Sequence, residues 1–201
     1  MRREISADEK ERFVALLAPA RHRLMHFARM MTQDYEEARD LVGETILQAL
    51  EGFDRLRDDG AFVGYLFTIA TRLHRRRRWR AKLFGAFDES TAASIADSAP
   101  PPDVAADAEA LYRALGMLPE RQRETLVLFE LTGLSLKEIQ AIQGGSLSGV
   151  KLRLHRGRKR LAVLLGVPDS SERFDEPGFP PTADQGTDHT MFLLARRPTN
   201  A

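Results

Sequence analysis

Between Phe13 and Met31 the apolar residues Phe13, Leu16, Leu17, Leu24, Phe27, Ala28 and Met31 recur at helical spacing, the pattern that lines one face of an α-helix. Ser6-Ala-Asp-Glu9 in front of them reads as a capping box, a serine oxygen taking an orphan amide while the glutamate reaches back. Pro19 lies inside the pattern and is expected to divide it into two helices. Asp34 then caps a further helix, with Glu36 and Glu37 in its first turn and a buried stripe of Ala38, Leu41, Val42, Thr45, Ala49 and Phe53. After the polar loop "DRLRDDG", Phe62, Leu66, Ile69, Ala70 and Leu73 form the stripe of a helix that continues into "RLHRRRRWRAK", residues 72–82. The exposed flank of that helix is expected to carry Tyr65, Phe67, Arg72, His74 and Trp79.

The pattern stops at "GAFDESTAASIADSAPPPDVAAD", which is too polar to bury itself and is broken by Pro100, Pro101 and Pro102. This stretch reads as an extended linker. Helical spacing resumes near Asp107 with Leu111, Leu115 and Leu118. Pro119 opens the next helix, with Leu126, Phe129 and Leu131 inward and Gly133 at its end. Ser135-Leu-Lys-Glu138 is a second capping box and starts a short helix through Ile139 and Ile142. "QGGS" supplies two glycines for a tight turn. The last helix, from about Ser148, places Val150, Leu154, Gly157, Leu161 and Leu164 on one side. Short helix, glycine turn and longer basic helix make a helix-turn-helix. Beyond Gly166 periodicity fades, and the tail is expected to be disordered, although "TMFLLARRP" near its end is apolar enough to dock.

Charge changes the picture. The 201-residue chain has a net charge of only +1, yet the charges are segregated. Nine acids face three arginines between Asp34 and Gly60, and six acids stand without any Lys or Arg between Leu83 and Glu109. Against them, residues 72–82 carry seven Arg and Lys, and "KLRLHRGRKR", residues 151–160, carries six. Segregation of this kind points to different partners for different surfaces. With no cysteine in the chain, disulfides and thiolate metal sites are excluded. The five histidines are scattered, the Asp and Glu residues fall on helix exteriors, and no enzyme, metal site or cofactor is expected. "MRREISADEK" has no apolar signal region and no run approaches the roughly 18 residues of a membrane span, so no membrane insertion and a cytoplasmic location are expected.

Each basic block has its own chemistry. In a helix-turn-helix the start of the second helix enters the major groove of duplex DNA. Ser148 and Gly149 stand at that start, and Lys151, Arg153, His155, Arg156, Arg158 and Lys159 surround the remainder of the helix outside its apolar stripe. Arginine can bond guanine in bidentate fashion while flanking cations neutralise phosphates. The first block interleaves Trp79 with arginines, which suits unpaired strands whose bases stack and whose backbone needs neutralising.

Together, "EEARDLVGETILQAL", "AFVGYLFTIATRL" and "LPERQRETLVLFELTGLSLKEIQAIQGGSLSGVKLRLHRGRKRL" resemble regions 2 and 4 of the extracytoplasmic-function (ECF, group 4) sigma factors over roughly residues 10–165. The resemblance implies an all-α chain of two small helical domains. Region 2 would be a helical bundle over residues 8–82, and region 4 a helix-turn-helix over residues 107–166. A flexible acidic linker, 83–106, would join them, and a tail, 167–201, would follow. It implies a bacterial initiation factor that brings core RNA polymerase to promoters, with the β′ coiled coil and the β flap as docking points on polymerase. Asp40, Glu44 and Gln48 would face the β′ coiled coil. Asp54, Arg55 and Arg57 would lie in the loop that captures a flipped −10 base. Arg72, Arg75, Arg76, Arg78 and Trp79 would hold the melted −10 strand. Ser148, Gly149, Lys151, Leu152, Arg153, His155 and Arg156 would read the duplex −35 element. The linker would thread the polymerase cleft towards the RNA exit path, and an anti-sigma factor would clamp both domains.

Several positions depart from the family pattern. Gly43 stands where glutamine is usual, Thr71-Arg72 replaces Arg-Asn, Tyr65 replaces tryptophan, and Gly149 and Leu152 replace Thr and Ser. Two other readings compete. A sigma-like protein that titrates an anti-sigma factor without touching DNA would need no basic recognition surface. A helix-turn-helix repressor would need a dimerisation element and a ligand pocket, and neither shows.

Overall fold

The computed structural model describes residues 5–83 and 102–167, with the side chains of 102–107 left out. Every regular element among the described residues is a helix, and these fall into two compact units, separated in sequence by residues 84–101. The first holds α1 (Ala7–Thr32), α2 (Tyr35–Glu51), two short 3-10 turns (Phe53–Arg55 and Asp59–Ala61) and α3 (Phe62–Leu83). The second holds α4 (Pro102–Gly116), α5 (Glu120–Thr132), α6 (Leu136–Gln143) and α7 (Leu147–Leu165). Most of the linker expected at 83–106 lies outside the described residues, but its last five residues already belong to α4, which opens on Pro102. Proline suits a first helical position because its missing N–H would be unsatisfied there anyway. The tail from 168 onward lies outside the described residues.

Pro19 does not divide the first helix: α1 is continuous from Ala7 to Thr32. The proline is exposed, so its ring and its missing N–H fall on the solvent side. Losing that hydrogen bond costs about 3 kcal/mol. Fully burying Leu24 and Phe27 beyond it offsets this at about 1.5–3 kcal/mol each. The core of the first unit is formed by Phe13, Ala20, Leu24, Phe27, Met31, Leu41, Phe53, Phe62, Leu66 and Phe67. Phe13, Phe53 and Phe62 meet edge to face at 5.2–6.1 Å. The α2 stripe from Ala38 to Phe53 is buried throughout. On α3 the expected flank is corrected at two positions, because Phe67 and His74 are buried rather than exposed. Four-residue steps from Leu66 and Phe67 lead to Ala70 and Thr71, then to His74. The inward face is therefore wider than a single-file stripe.

In the second unit Leu111, Leu115, Leu118, Val150, Leu154 and Leu161 are buried as expected. Helix α5 turns differently: Leu126, Val127 and Leu128 fill the core while Phe129 and Leu131 are only half-buried. It is enclosed on several sides, so even Arg123, Glu124 and Thr125 are buried. At Gly157 the α7 backbone comes so near α5 that a Cβ would lie 3.3 Å from the Gln122 carbonyl oxygen. Gly144 and Gly145 both take positive φ, 76° and 87°, and turn the chain from α6 into α7. The cap of α7 is Ser146, whose hydroxyl accepts from the Gly149 amide at 3.1 Å, two residues ahead of the start expected at Ser148.

Candidate nucleic-acid interface

On α2, Asp40, Glu44 and Gln48 follow one another at four-residue steps, but their surroundings differ. Asp40 is exposed, whereas Glu44 and Gln48 are half-buried along the edge facing α3. The Arg77 Nη2 and Nε atoms donate to Glu44 Oε2 at 2.8 and 3.3 Å. Arg76 Nη2 comes within 4.0 Å of the other oxygen, and Gln48 donates to that oxygen at 3.4 Å. Leu47, one helical repeat from Asp40, is exposed, so the outward strip of α2 is Asp40, Gly43, Leu47 and Glu51. The sequence offered a signal for Leu47 in a leucine lying off the buried stripe.

The loop between α2 and α3 is pinned from α1. Arg12 donates through Nε to Asp59 at 2.9 Å, forms an ion pair with the same carboxylate, reaches the Leu56 carbonyl, and lies 4.9 Å over the Phe53 ring. The hydrogen bond to Asp59 holds the Arg12 guanidinium above its ordinary pKa, outweighing desolvation, with Coulombic help from Asp59 and Glu9. Asp54, Arg55 and Arg57 stand exposed on this anchored loop. Nothing in the linear pattern links Arg12 to residues 47 positions away. Tyr65 is half-buried beneath the loop and donates to the Ala49 carbonyl at 2.9 Å. Burial raises its pKa, Asp54 adds to that, and Arg55 opposes it.

The arginine run of α3 divides by side. Arg72, Arg76, Trp79, Arg80 and Leu83 are exposed. At 100° per residue they fall within about a quarter of the helix circumference. Arg75, Arg77 and Arg78 are half-buried, and Arg77 belongs to Glu44. Trp79 is 64% exposed, on the outward flank of the helix. Arg80 joins the outward face without having been singled out by sequence.

On α7, Ser148, Lys151, Leu152, His155, Arg156 and Lys159 are exposed on one face and Gly149 is half-buried. Arg153 turns away from that face: its Nε donates to Gln143 Oε1 at 3.1 Å. Gln143 in turn donates to the buried Glu124 at 2.7 Å and accepts from Thr125 at 2.9 Å. Arg121 closes the set on the Gln143 carbonyl at 3.0 Å. Arg158 is also structural, donating to Glu130 at 2.6 and 2.9 Å and lying 5.1 Å over Phe129. This polar lattice fixes α6 against α5 and α7, and so fixes the angle at which the basic face is presented. His22 and His26, expected to be scattered, stand one turn apart with their Nε2 atoms 3.1 Å from each other. Among the described residues there is no group of three or more metal-binding side chains, and no helix is long and apolar enough to cross a membrane.

A helical bundle carrying an arginine-tryptophan strip, and a separate helix-turn-helix, define a two-part DNA-binding transcription factor. The comparisons make the class specific. Residues 16–82 match the family described as Sigma-70 region 2, and residues 108–161 match Sigma-70, region 4. The ECF RNA polymerase sigma factor EcfG of Rhodopseudomonas palustris is 33% identical over 153 residues, covering 75% of this chain and 83% of that one. The RNA polymerase sigma factor CarQ of Myxococcus xanthus is 32% identical over 153 residues, covering 73% and 86%. Among solved structures, the co-crystal structure of the sigma factor RpoE with the anti-sigma factor NepR from Bartonella quintana aligns with TM-score 0.65 and 28% identity, covering 81% of this chain and 99% of that one. The chain belongs to the ECF sigma factors and directs RNA polymerase to promoters.

Proposed function

We propose that the two units divide promoter recognition between them. The exposed strip of α3 holds the −10 strand as it separates, and the outward face of α7 reads duplex DNA at −35. The observation that carries this reading is the sorting of the cations. In each basic helix some arginines are engaged by internal partners, Arg77 by Glu44 and Arg158 by Glu130, while others present a continuous exposed face. A merely solvated helix end gives no reason for that sorting.

The residues for each role are then narrower than the linear pattern. Arg72, Arg76, Trp79 and Arg80 supply the −10 surface, with Asp54, Arg55 and Arg57 on the Arg12-anchored loop for a flipped base. Ser148, Lys151, Leu152, His155 and Arg156 supply the −35 surface, and Arg153 supports it from behind. Asp40 and Leu47 lead the approach to core polymerase, flanked by Glu44 and Gln48. The protein acts as a cytoplasmic factor and leaves the chemistry to polymerase. The linker, starting after α3 and ending at Pro102, spans the polymerase between the two elements. An anti-sigma factor is a fitting further partner, since the RpoE relative was crystallised with one.

The two surfaces can be separated in reconstituted holoenzyme. Replacing Arg72, Arg76 and Arg80 by glutamine should reduce permanganate reactivity of −10 thymines and lower the log–log salt slope of binding, by nearly one unit for each lost phosphate contact. Arg156→Ala should weaken duplex −35 binding and leave a pre-melted −10 strand bound as before. Equal losses on both substrates would reduce the sorting to non-specific charge.

A further inference from the structure

Between α5 and α7 lies an open groove of about 380 Å³ lined by Gln122, Arg156, Lys159, Arg160 and Val163. Its walls are aliphatic, formed by side-chain stems and by Val163, which is 75% exposed, while three cationic heads stand on its rim. Among the described residues Arg156, Lys159 and Arg160 form no ion pair, in contrast to Arg158 on the same helix. The groove therefore asks for two things at once: negative charge at its rim and an apolar side chain on its floor. A peptide segment with acids around one aromatic residue supplies both.

We infer that the occupant is the chain's own segment Glu172-Arg-Phe-Asp-Glu176, folded back with Phe174 against Val163. The helix α7 ends in a turn just beyond the groove-lining residues. Gly166 takes φ 64°, and Val167 donates back to the Ala162 carbonyl at 3.0 Å, the six-to-one bond of a Schellman turn, which stops the helix and redirects the chain. Seven residues from Val167 to Phe174 span up to about 24 Å, whereas Lys159 and Arg160 lie only about 8–9 Å back along the helix from Leu165. The segment carries Glu172, Asp175 and Glu176 against one Arg173, so its charge complements the rim. The apolar Met191–Leu194 stretch is a poorer fit, because Arg196 and Arg197 follow it closely.

Arg156 serves both the groove and the outward face of α7, so a docked tail competes with DNA for it. The docking stands on the groove alone; only the competition rests on the proposed −35 reading. Because the chain has no cysteine, the docking can be read in the full-length protein by placing a cysteine pair at Val163→Cys and Asp175→Cys and following disulfide closure. Closure should be several-fold faster than in the same chain carrying Phe174→Ala, or Lys159→Gln with Arg160→Gln. In the cysteine-free chain, Phe174→Ala should tighten binding to a mixed-sequence DNA duplex in low salt several-fold. Equal closure rates in all three chains would show random tail collisions and overturn the docking. Equal rates together with loss of core polymerase binding in the Lys159/Arg160 variant would assign the groove to polymerase instead, which also overturns it. Rates that fall as stated with unchanged DNA affinity would uphold the docking and overturn the competition.

Discussion

Arg77 reaches from α3 to α2 and holds the Glu44 carboxylate at 2.8 Å, tying the helix proposed to meet polymerase to the helix proposed to meet DNA. Both side chains are about one-third exposed, 35% and 29%, so water and salt screen the pair. A double-mutant cycle with Arg77→Gln and Glu44→Gln should give a coupling of about 0.5–1 kcal/mol in chemical denaturation, the upper range for such pairs. A coupling indistinguishable from zero would reduce the bridge to a coincidence of two long side chains.

The same pair decides how polymerase docking should be probed. Charge reversal at Glu44 would set Arg77 against a new cation and confuse folding with binding. Asp40→Lys with Leu47→Ala avoids this, since both residues are exposed. That variant should lose co-purification with core polymerase while its thermal melt and helical circular-dichroism signal stay as in the wild type. Wild-type binding to core would place the docking surface elsewhere.

Tyr65 offers a test of the loop floor. Its hydrogen bond to Ala49 is worth about 1 kcal/mol, so Tyr65→Phe should cost about that at neutral pH. Burial makes the folded protein hold the phenolic proton to higher pH than the unfolded chain does. The contribution is thus complete below the ordinary value of about 10 and disappears as pH rises through the raised folded value. Urea unfolding of the two proteins should differ at pH 7 and converge in alkali. A Cβ on Gly52 would lie 2.8 Å from the Tyr65 hydroxyl, at an ordinary φ of −104°. Gly52→Ala should therefore break the same bond, and its cost should not add to that of Tyr65→Phe.

Much of this was legible in sequence, and the exceptions share a cause. Both capping boxes, the α2 stripe and the glycine turn are local: each depends on residues within a turn or two, where spacing alone specifies contacts. What the pattern misjudged was decided by elements far apart in the chain. Pro19 stays inside a helix because the core beyond it outweighs one lost hydrogen bond. Phe67 and His74 turn inward because α3 is covered over a wide arc. Arg77, Arg153 and Arg158 read as DNA-facing or unassigned cations, yet Glu44, Gln143 and Glu130 engage them. The charge run fixed a basic helix, and only the partners determine which cations remain outward.

Arg153 and Arg156 should accordingly separate. Arg156 is exposed, and Arg156→Ala should cost about 1–3 kcal/mol in duplex binding with an unchanged melting temperature. Arg153→Ala removes a partner from Gln143 and should lower stability by about 1–2 kcal/mol, weakening DNA binding through the loosened α6–α7 turn. Comparable DNA losses with both melts unchanged would put Arg153 at the bases.

Run-off transcription from genomic DNA with purified core polymerase tests the central claim most directly. With this chain added, discrete start sites should appear that share sequence near −35 and −10. They should vanish when Arg72, Arg76 and Arg80 are replaced by glutamine, even though that variant still binds core. A chain that binds core polymerase yet yields no start sites beyond those of core alone would contradict promoter direction by these two surfaces.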